Sequence, residues 1–259
     1  MLNQYARTAL LIGKEELSKL WDKRVLLFGL GGVGGNVVES LARAGIGSFD
    51  IVDDDFFCLT NLNRQILSTR KDLGRYKVDV AEERIHAINP DIIVTKHRTF
   101  YLPEKKEEFD FASFDYIIDC IDTVTAKIDI ILEANRVGVP IISAMGCGNR
   151  LDPTKLRICD VYETTNDPLG KVMRHELRKR GIKSLKVVCS TELPTKPREE
   201  EKKDMSLSGN VSGKKTIPGS TSFVPPVAGT LIGYQVCMDL LNTPIKESDK
   251  RKDNPFNIK

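Results

Sequence analysis

Two short polar segments near residue 60 carry residue types that can bind a nucleotide. The first, IVDDD at 51–55, places three carboxylates after apolar residues, and the second, NLNRQ at 61–65, contains Asn61 and Arg64. In nucleotide-binding folds, a carboxylate at the end of a strand accepts hydrogen bonds from ribose hydroxyls, and Asp53 is placed for that role. A guanidinium a few residues further on is a fixed positive charge that can pair with phosphate. The two segments together predict a nucleotide site with a cation beside it.

A glycine-rich turn precedes these segments. The residues GLGGVG at 29–34 follow the apolar run RVLLFGL at 24–30 and open a segment with helical spacing. Because glycine has no Cβ, phosphate oxygens can approach the main-chain N–H groups at the start of that helix. The strand before the turn and the helix after it make this a stronger signal than glycine spacing alone. We expect phosphate contacts from the loop that contains Gly29, Gly31, Gly32 and Gly34.

This pattern fits NAD as well as ATP, so an NAD-dependent oxidoreductase is an alternative interpretation. Three further side chains favour ATP, namely Arg64, Lys77 in GRYK and Asp122 in DCID. Cleavage between the α- and β-phosphates develops negative charge that fixed cations stabilise, and hydride transfer has no such need. Asp122 follows a strand, so it can position Mg²⁺ at the edge of the sheet where strand ends converge.

Strands and helices alternate through the first 150 residues. Strand patterns at 24–30, 48–55, 91–100, 114–122 and 139–146 are separated by helical patterns at 31–45, 76–89 and 126–138, and another helical pattern covers 14–21. Such alternation predicts an α/β fold of the Rossmann-like doubly wound type, with a mostly parallel sheet and right-handed crossovers.

Beyond residue 150 the alternation weakens, but we expect one domain over 1–259. In this interpretation 24–150 form the ATP-binding core, and 151–222 form a substrate-facing segment whose loop at 194–220 is polar and flexible. Residues 223–242 form a closing helix, and 243–259 form a polar tail. A basic helix is expected at 167–181, and from 171 to 186 there are seven Lys or Arg against one Glu. That segment is either a solvated surface or a phosphate-contacting one.

Composition narrows the class of protein further. A net charge of +3 permits a nucleic-acid partner without arguing for one. The first ten residues lack the pattern of a secretory signal, and the apolar run at 223–241 contains two prolines, a Gln and an Asp, which favours a buried helix over a membrane span. The six cysteines form no C-x-x-C pair, so no zinc site is expected, and their scatter is typical of a reduced, cytoplasmic protein.

Taken together, GLGGVG, IVDDDFFCLTNLNRQ, GRYK and DCIDT resemble the nucleotide-binding domain of the ubiquitin-activating E1-like superfamily, which includes the ThiF, MoeB and HesA proteins. Within it, GNRLDPTKLRICDVYETTNDPL and VVCSTE are similar to the tRNA threonylcarbamoyladenosine dehydratase branch. The missing C-x-x-C pairs agree with that branch, because ThiF and MoeB proteins usually carry two. The resemblance implies a fold of the E1/ThiF nucleotide-binding type.

The resemblance also implies roles for individual residues. Gly31 and its neighbouring glycines hold the phosphates, and Asp53 holds the ribose. Asp122 orients Mg-ATP, and Arg7 reaches the ATP of the partner subunit in a homodimer. Where the branch often has another arginine three residues before Arg7, this chain has Gln4, which places the role of Arg7 in question. Contacts with the triphosphate are implied for Asn61, Arg64 and Lys77.

The implied reaction is an ATP-dependent dehydration of threonylcarbamoyladenosine at position 37 of a tRNA anticodon loop, through an acyl-adenylate. No ubiquitin-like protein is expected as a partner, and Cys189, which lies beside apolar residues, is interpreted as a core residue rather than a thioester-forming one. Whether a monovalent cation also binds is left open. The alternatives are an adenylating enzyme for a ubiquitin-like sulfur-carrier protein and the NAD-dependent oxidoreductase.

Overall fold

A seven-stranded sheet forms the centre of the molecule. The structure, a computed structural model, describes residues 4–198 and 218–242. The strand order is β3-β2-β1-β4-β5-β7-β6, and every neighbouring pair is parallel except the last, in which β6 runs antiparallel to β7. The strands are β1 (Arg24–Phe28), β2 (Ser48–Val52), β3 (Ile93–His97), β4 (Tyr116–Asp119), β5 (Ile141–Ala144), β6 (Leu156–Asp160) and β7 (Lys186–Ser190). The predicted α/β class with a mostly parallel sheet is confirmed.

Six α-helices connect or cover these strands. They are α1 (Ala6–Trp21), α2 (Gly34–Ala44), α3 (Lys77–Ile88), α4 (Val124–Val137), α5 (Pro168–Lys179) and α6 (Val224–Leu241), counted over the described residues. The central strands β1 and β4 are apolar and buried, as a sheet covered on both faces requires. The edge strand β3 is largely exposed, and its sequence is correspondingly mixed.

The closing helix α6 packs directly on α2. A Cβ atom on Gly229 would lie 2.3 Å from the carbonyl oxygen of Val33, and one on Gly233 would lie 2.6 Å from Cβ of Ser40. Glycine at both positions therefore lets the two helices approach closely. Among the described residues α6 has the length and mean hydropathy, 1.2, of a membrane-spanning helix, but half of it is buried inside the fold.

The chain beyond residue 150 contains two strands that the sequence pattern did not reveal. Strands β6 and β7 extend the sheet as an antiparallel pair, with Cys159 opposite Val187. The basic segment at 171–186 is not one helix, because α5 ends at Lys179 and Lys186 begins β7, where its Nζ lies 2.5 Å from Asp239 Oδ2. The expectations for 199–217 and for the tail at 243–259 fall outside the described residues.

Candidate active site

A cleft of about 870 Å³ lies at the carboxyl ends of the parallel strands. The loops after β1, β2 and β3 line one part, which we call the β1–β2 half. The loop after β5, the start of α5 and residues Pro194, Pro218 and Ser220 line the other, which we call the β5 half. The loop after β4, with Asp122, lies between them. Adjacent strands whose connections run to opposite sides of the sheet create such a crevice, and it is where doubly wound folds bind ligands.

The glycine loop forms the floor of the β1–β2 half. The N–H groups of Gly31, Gly32 and Val33 line the cleft and make no hydrogen bond to any described residue, so they remain available to an anion at the start of α2. Gly34 does not line the cleft. A Cβ there would lie 1.8 Å from the carbonyl oxygen of Gly29, so this glycine permits the tight turn from β1 into α2.

The acidic segment after β2 is tied to the glycine loop. Asp53 accepts hydrogen bonds from the N–H of Leu30 at 2.7 Å and from that of Asp55 at 2.9 Å. Lys77, at the start of α3, lies with its Nζ 3.6 Å from Asp53 Oδ1 and 2.7 Å from Asp55 Oδ2. Burial raises the pKa of Asp53 above its ordinary value, against the opposing effect of Lys77. The predicted ribose-binding carboxylate and the predicted phosphate-binding lysine are therefore brought together.

Arg64 crosses the cleft above the glycine loop. A Cβ on Gly32 would lie 3.2 Å from Arg64 Cγ and 3.1 Å from Pro225 Cβ, so the arginine stem packs closely against this glycine. Its Nη1 donates to the carbonyl oxygen of Thr60 at 3.0 Å and to Asn63 Oδ1 at 2.9 Å. No carboxylate of the described chain lies within 4.0 Å of the Arg64 guanidinium. Burial lowers the pKa of Arg64 from its usual value. At neutral pH it is a charged, partly desolvated cation beside the phosphate loop.

Asn61 both lines the cleft and holds the loop that carries Arg64. Its Oδ1 accepts from the N–H of Cys58 at 3.1 Å, and its carbonyl oxygen accepts from the N–H groups of Arg64 and Gln65. Gln65, which the sequence pattern did not single out, is 5% exposed and lines the same wall. No described residue forms a hydrogen bond with its Oε1.

Asp122 is exposed at the centre of the cleft, where the sequence predicted it. The loop that presents it rests on a buried network that the sequence did not predict. Lys127 Nζ lies 2.7 Å from Asp119 Oδ2 and donates to the carbonyl oxygen of Ile121 at 3.0 Å, and Ser143 Oγ donates to the same Asp119 oxygen at 2.6 Å. Burial raises the pKa of Asp119, and Lys127 opposes this shift. The available signal was an aspartate inside the apolar segment YIID with a lysine eight residues later.

The β5 half contains a buried arginine that sequence reasoning also missed. Arg150 is 2% exposed and lines the cleft, and its Nη2 donates to the carbonyl oxygen of Asn166 at 2.7 Å. Nearby, Asp167 accepts hydrogen bonds from the N–H groups of Gly146 and Gly170. Burial raises the pKa of the Cys147 thiol to about 12, so this cleft cysteine is protonated at neutral pH.

Arg7 is the one predicted side chain that lies away from the cleft. It is exposed on α1, close in sequence to Leu10 and Leu11, which are 85% and 88% exposed. Within a single chain Arg7 does not join the residues that line the cleft.

The fold and the cleft define an α/β nucleotide-binding protein with an anion-binding loop, an arginine above it and an unfilled space beyond it. The chain belongs to the ThiF family, whose model matches residues 5–233. The predicted membership of the E1-like superfamily, within its tRNA threonylcarbamoyladenosine dehydratase branch, is confirmed by the relatives that follow.

The chain is 42% identical to the tRNA threonylcarbamoyladenosine dehydratase of Bacillus subtilis over 246 residues, which cover 93% of this chain and 96% of that protein. Its structure is similar to the crystal structure of the Escherichia coli tRNA N6-threonylcarbamoyladenosine dehydratase in complex with ATP, with a TM-score of 0.81, 30% identity and coverage of 92% and 94% of the two chains. It is also 36% identical to the Escherichia coli sulfur carrier protein ThiS adenylyltransferase, over 57% of this chain and 60% of that one.

Proposed function

We propose that this protein is an ATP-dependent tRNA threonylcarbamoyladenosine dehydratase. The observation that carries the proposal is the cleft itself, which joins a phosphate-binding β1–β2 half to a second half with room for another substrate. The near end-to-end similarity to the Bacillus subtilis dehydratase indicates which substrate that is. The substrate is a tRNA whose adenosine at position 37 of the anticodon loop carries a threonylcarbamoyl group.

ATP occupies the β1–β2 half in this proposal. The free N–H groups of the glycine loop bind phosphate oxygens, Asp53 accepts from the ribose, and Asn61, Arg64 and Lys77 surround the triphosphate. Lys77 is paired with two carboxylates, so its contact with phosphate requires an exchange of partners. The exposed carboxylate of Asp122 fits Mg²⁺, which takes one or two carboxylates together with phosphate oxygens and would neutralise charge on the triphosphate when bound.

The reaction proceeds in two steps. A carboxylate oxygen of the threonyl group attacks the α-phosphorus, and the bond to the leaving pyrophosphate breaks, which gives an acyl-adenylate. The carbamoyl nitrogen of the same nucleoside then attacks the acyl carbon, loses its proton and expels AMP. The substrate loses one water in total. Arg64 and Lys77 stabilise charge that develops on the phosphates, and the cleft holds the reactants in place.

The mechanism needs no nucleophile from the protein, and the cysteines support this. Cys189 is fully buried in β7 with its Sγ 3.4 Å from Cys159 Sγ, so it is out of reach of a substrate in the cleft. Burial raises the pKa of Cys120 and Cys147, two of the three cysteines of the described chain that line the cleft, and a thiol without its thiolate is a poor nucleophile.

The active form in this proposal is a cytoplasmic homodimer in which Arg7 serves the ATP of the partner subunit. The adjacent exposed leucines Leu10 and Leu11 support an interface on α1, because contiguous exposed apolar surface marks sites of interaction with a partner. Exposed cations on and after α5, including Lys171, Arg178 and Lys179, supply contacts with tRNA phosphates. Since α5 starts at the cleft and is about 18 Å long, they lie along a path that leads away from it.

Mass spectrometry of nucleosides tests the proposal directly. Incubation of modified tRNA with the protein and Mg-ATP should give a threonylcarbamoyl nucleoside lighter by one water, with release of AMP and pyrophosphate. A sulfur-carrier adenylating enzyme would instead release pyrophosphate only with a small protein that ends in Gly-Gly. An oxidoreductase would be protected against heat by NAD and not by ATP. Either of these last results would contradict the proposal.

A further inference from the structure

Arg150 is a buried cation without a counterion in the part of the chain that the structure describes. There, its Nε and Nη1 atoms have no hydrogen-bond partner, and no carboxylate lies within 4.0 Å of its guanidinium. The other deeply buried cations are paired: Lys23 lies 2.9 Å from Asp115, and Lys127 lies 2.7 Å from Asp119. An unpaired charge removed from water is costly to folding, so a buried guanidinium with unused donors calls for an explanation.

Its position is fixed from both sides by hydrogen bonds between segments far apart in sequence. Asn149, which adopts a left-handed conformation with φ of 59°, exchanges hydrogen bonds with Gly219 at 2.7 Å and accepts one from the N–H of Thr195 at 2.8 Å. Asn166, with φ of 56°, accepts from Arg150 and donates its Nδ2 to the carbonyl oxygen of Thr191 at 2.8 Å. The arginine is thus held in one place before any ligand arrives, which is the condition for a binding residue.

The carboxylate close to it in the cleft wall is already engaged. Arg150 and Asp167 both line the cleft, and Asp167 directly follows Asn166, whose carbonyl oxygen accepts from Arg150. The Asp167 oxygens accept from Gly146 N at 3.0 Å and from Gly170 N at 2.9 Å, and form no ion pair with Arg150. No carboxylate of the described residues is thus available to Arg150, and its unused donors face a cleft that a ligand can enter.

The strand order indicates which substrate brings that group. Asp53 follows β2 and the glycine loop follows β1, whereas Arg150 lies in the loop after β5, two strands further along the sheet. ATP bound in this way has its adenosine end farthest from Arg150, and the β5 half, beyond the phosphates, receives the second substrate. Backbone phosphates of a tRNA remain at the surface, and a side chain that is 2% exposed can be reached only by a group inserted into the cleft.

We propose that Arg150 binds the carboxylate of the threonyl group in the β5 half, an inference that rests on the proposed function. A carboxylate that approaches a triphosphate meets repulsion from like charge, and a guanidinium beside it offsets that repulsion. Arg150 is then a specificity-determining residue, because it distinguishes the modified nucleoside from plain adenosine.

The test compares two tRNAs that differ only at position 37, one with threonylcarbamoyladenosine and one with adenosine. Affinities are measured with α,β-methylene-ATP present, so that the α-phosphate is not attacked. The wild-type protein should prefer the modified tRNA, and Arg150→Gln should lose roughly ten- to a hundredfold of its affinity for that tRNA alone, as expected for hydrogen bonds to a charged group. A modified tRNA with its carboxylate as the methyl ester should bind both proteins equally weakly.

The matched control is Arg157→Gln. Arg157 also donates Nη2 to a backbone carbonyl, at 2.6 Å to Glu163, but it is exposed on β6 and does not line the cleft. The variant Arg157→Gln should leave the affinities for both tRNAs unchanged. Arg150→Gln should also keep its melting temperature and its affinity for ATP, because it removes an unpaired charge. If the glutamine variant does not fold, Arg150→Lys provides the test instead. It keeps the positive charge and should retain part of the preference for modified tRNA.

The outcomes separate this inference from the function on which it rests. If the wild-type protein removes water from modified tRNA but Arg150→Gln keeps its preference for that tRNA, the assignment of Arg150 is wrong and the proposed function stands. If Arg150→Gln binds both tRNAs more weakly by the same factor, Arg150 contacts a phosphate, and its assignment to the threonyl carboxylate is again wrong. If the wild-type protein neither prefers nor dehydrates modified tRNA, the proposed function itself fails.

Discussion

The two halves of the cleft differ in the pairing of their buried charges. In the β1–β2 half, Lys77 pairs with both Asp53 and Asp55, and Asp53 also accepts a hydrogen bond from the glycine loop. Arg64, the other cation of that half, is only partly buried and has no carboxylate partner among the described residues. In the β5 half, the deeply buried Arg150 has donors that no described residue uses. The buried acid of the first half therefore has its counterion within the protein, whereas we propose that the buried arginine of the second half gains its acceptor from a ligand.

This difference indicates how each half obtains its selectivity. A cluster of paired charges fixes the geometry of the loops, so the β1–β2 half can hold a common ligand such as ATP in a set position. An unpaired buried cation raises the cost of folding and gains its partner only when the correct substrate binds. Five substitutions test this comparison, and they follow in order of decreasing expected effect.

The largest effect is expected from Lys127→Met, which breaks the network beneath the junction of the two halves. Asp119 would be left as a buried carboxylate without its counterion, so the free energy of unfolding should fall by about 3–5 kcal/mol in urea titration. The double variant Asp119→Asn with Lys127→Met removes both charges and should recover part of the loss. Equal destabilisation of the two variants would show that the ion pair is not the cause.

Arg64→Ala removes the cation above the phosphate loop. The contact is proposed to strengthen as charge develops on the phosphates, so the rate of adenylate formation should fall on the order of 10²-fold or more, with the fold intact. Single-turnover release of pyrophosphate measures it. Arg70→Ala, which changes an exposed arginine outside the cleft, is the control and should retain the wild-type rate. A near-normal rate for Arg64→Ala would contradict the assignment of adenylate formation to the β1–β2 half.

Asp53→Ala should weaken ATP binding more than it slows the reaction. Ribose contacts are equal in the ground state and the transition state, and the loss of one or two hydrogen bonds raises the dissociation constant for ATP by about tenfold. Calorimetry with ATP compared with the rate at saturating ATP separates the two effects. Asp54→Ala, at an exposed neighbour, should change either quantity less. A pure rate defect would contradict the ribose role.

Replacement of Arg178, Lys179 and Arg180 by alanine tests the surface beyond the β5 half. Each lost phosphate contact should reduce the slope of log affinity against log salt by roughly 0.7 to 0.9, with no preference for tRNA sequence and no change in ATP affinity. Lys179 and Arg180 also pair with Glu176, and Arg178 lies over the Tyr162 ring, so some of this charge is already engaged. The triple variant Arg43→Ala, Arg70→Ala and Arg136→Ala also loses three positive charges, at sites outside the cleft lining, and controls for the change in net charge. If the alanine variant of Arg178, Lys179 and Arg180 has the same salt slope as the wild-type protein, these side chains only form a solvated surface at the end of α5.

Cys189→Ala should leave the dehydration rate unchanged, because ring closure uses the nitrogen of the substrate. Alanine is chosen rather than serine, because burying a serine hydroxyl at this fully buried position would cost its hydration. Trapping of a thio-linked intermediate on Cys189 would show that the β5 half does supply a nucleophile, and would favour the sulfur-carrier alternative.

The sequence predicted the β1–β2 half well because its residues are close together along the chain. The glycine loop, Asp53, Asn61 and Arg64 fall within 29–64, and a strand–turn–helix unit places such neighbours together without help from distant parts of the fold. Lys77 and Asp122 were predicted for a related reason, since each lies where an element of the alternating pattern begins or ends. The roles of all these residues toward ATP and Mg²⁺ stay predictions.

The β5 half was not predictable in the same way. Strands β6 and β7 form an antiparallel pair joined through α5, and their short apolar runs do not differ from those of loops or helices. The segment that contains Arg150 contributed only to the family resemblance. Nothing in GNRLDP predicts that the arginine is buried. Arg7 was predicted for the site, but one chain leaves it at the surface, so its role stays a prediction about the dimer.

The amino-acid sequence by itself determined the parallel sheet, the phosphate loop and the acids and cations beside it, since period and glycine placement are local properties of a chain. Only the tertiary structure decided which charges are paired. Burial and counterions depend on segments far apart in sequence, as when Lys23 Nζ lies 2.9 Å from Asp115 Oδ1, 92 residues further along the chain. The unpaired state of Arg150 among the described residues is of this second kind, because a sequence does not show which groups surround a side chain in the fold.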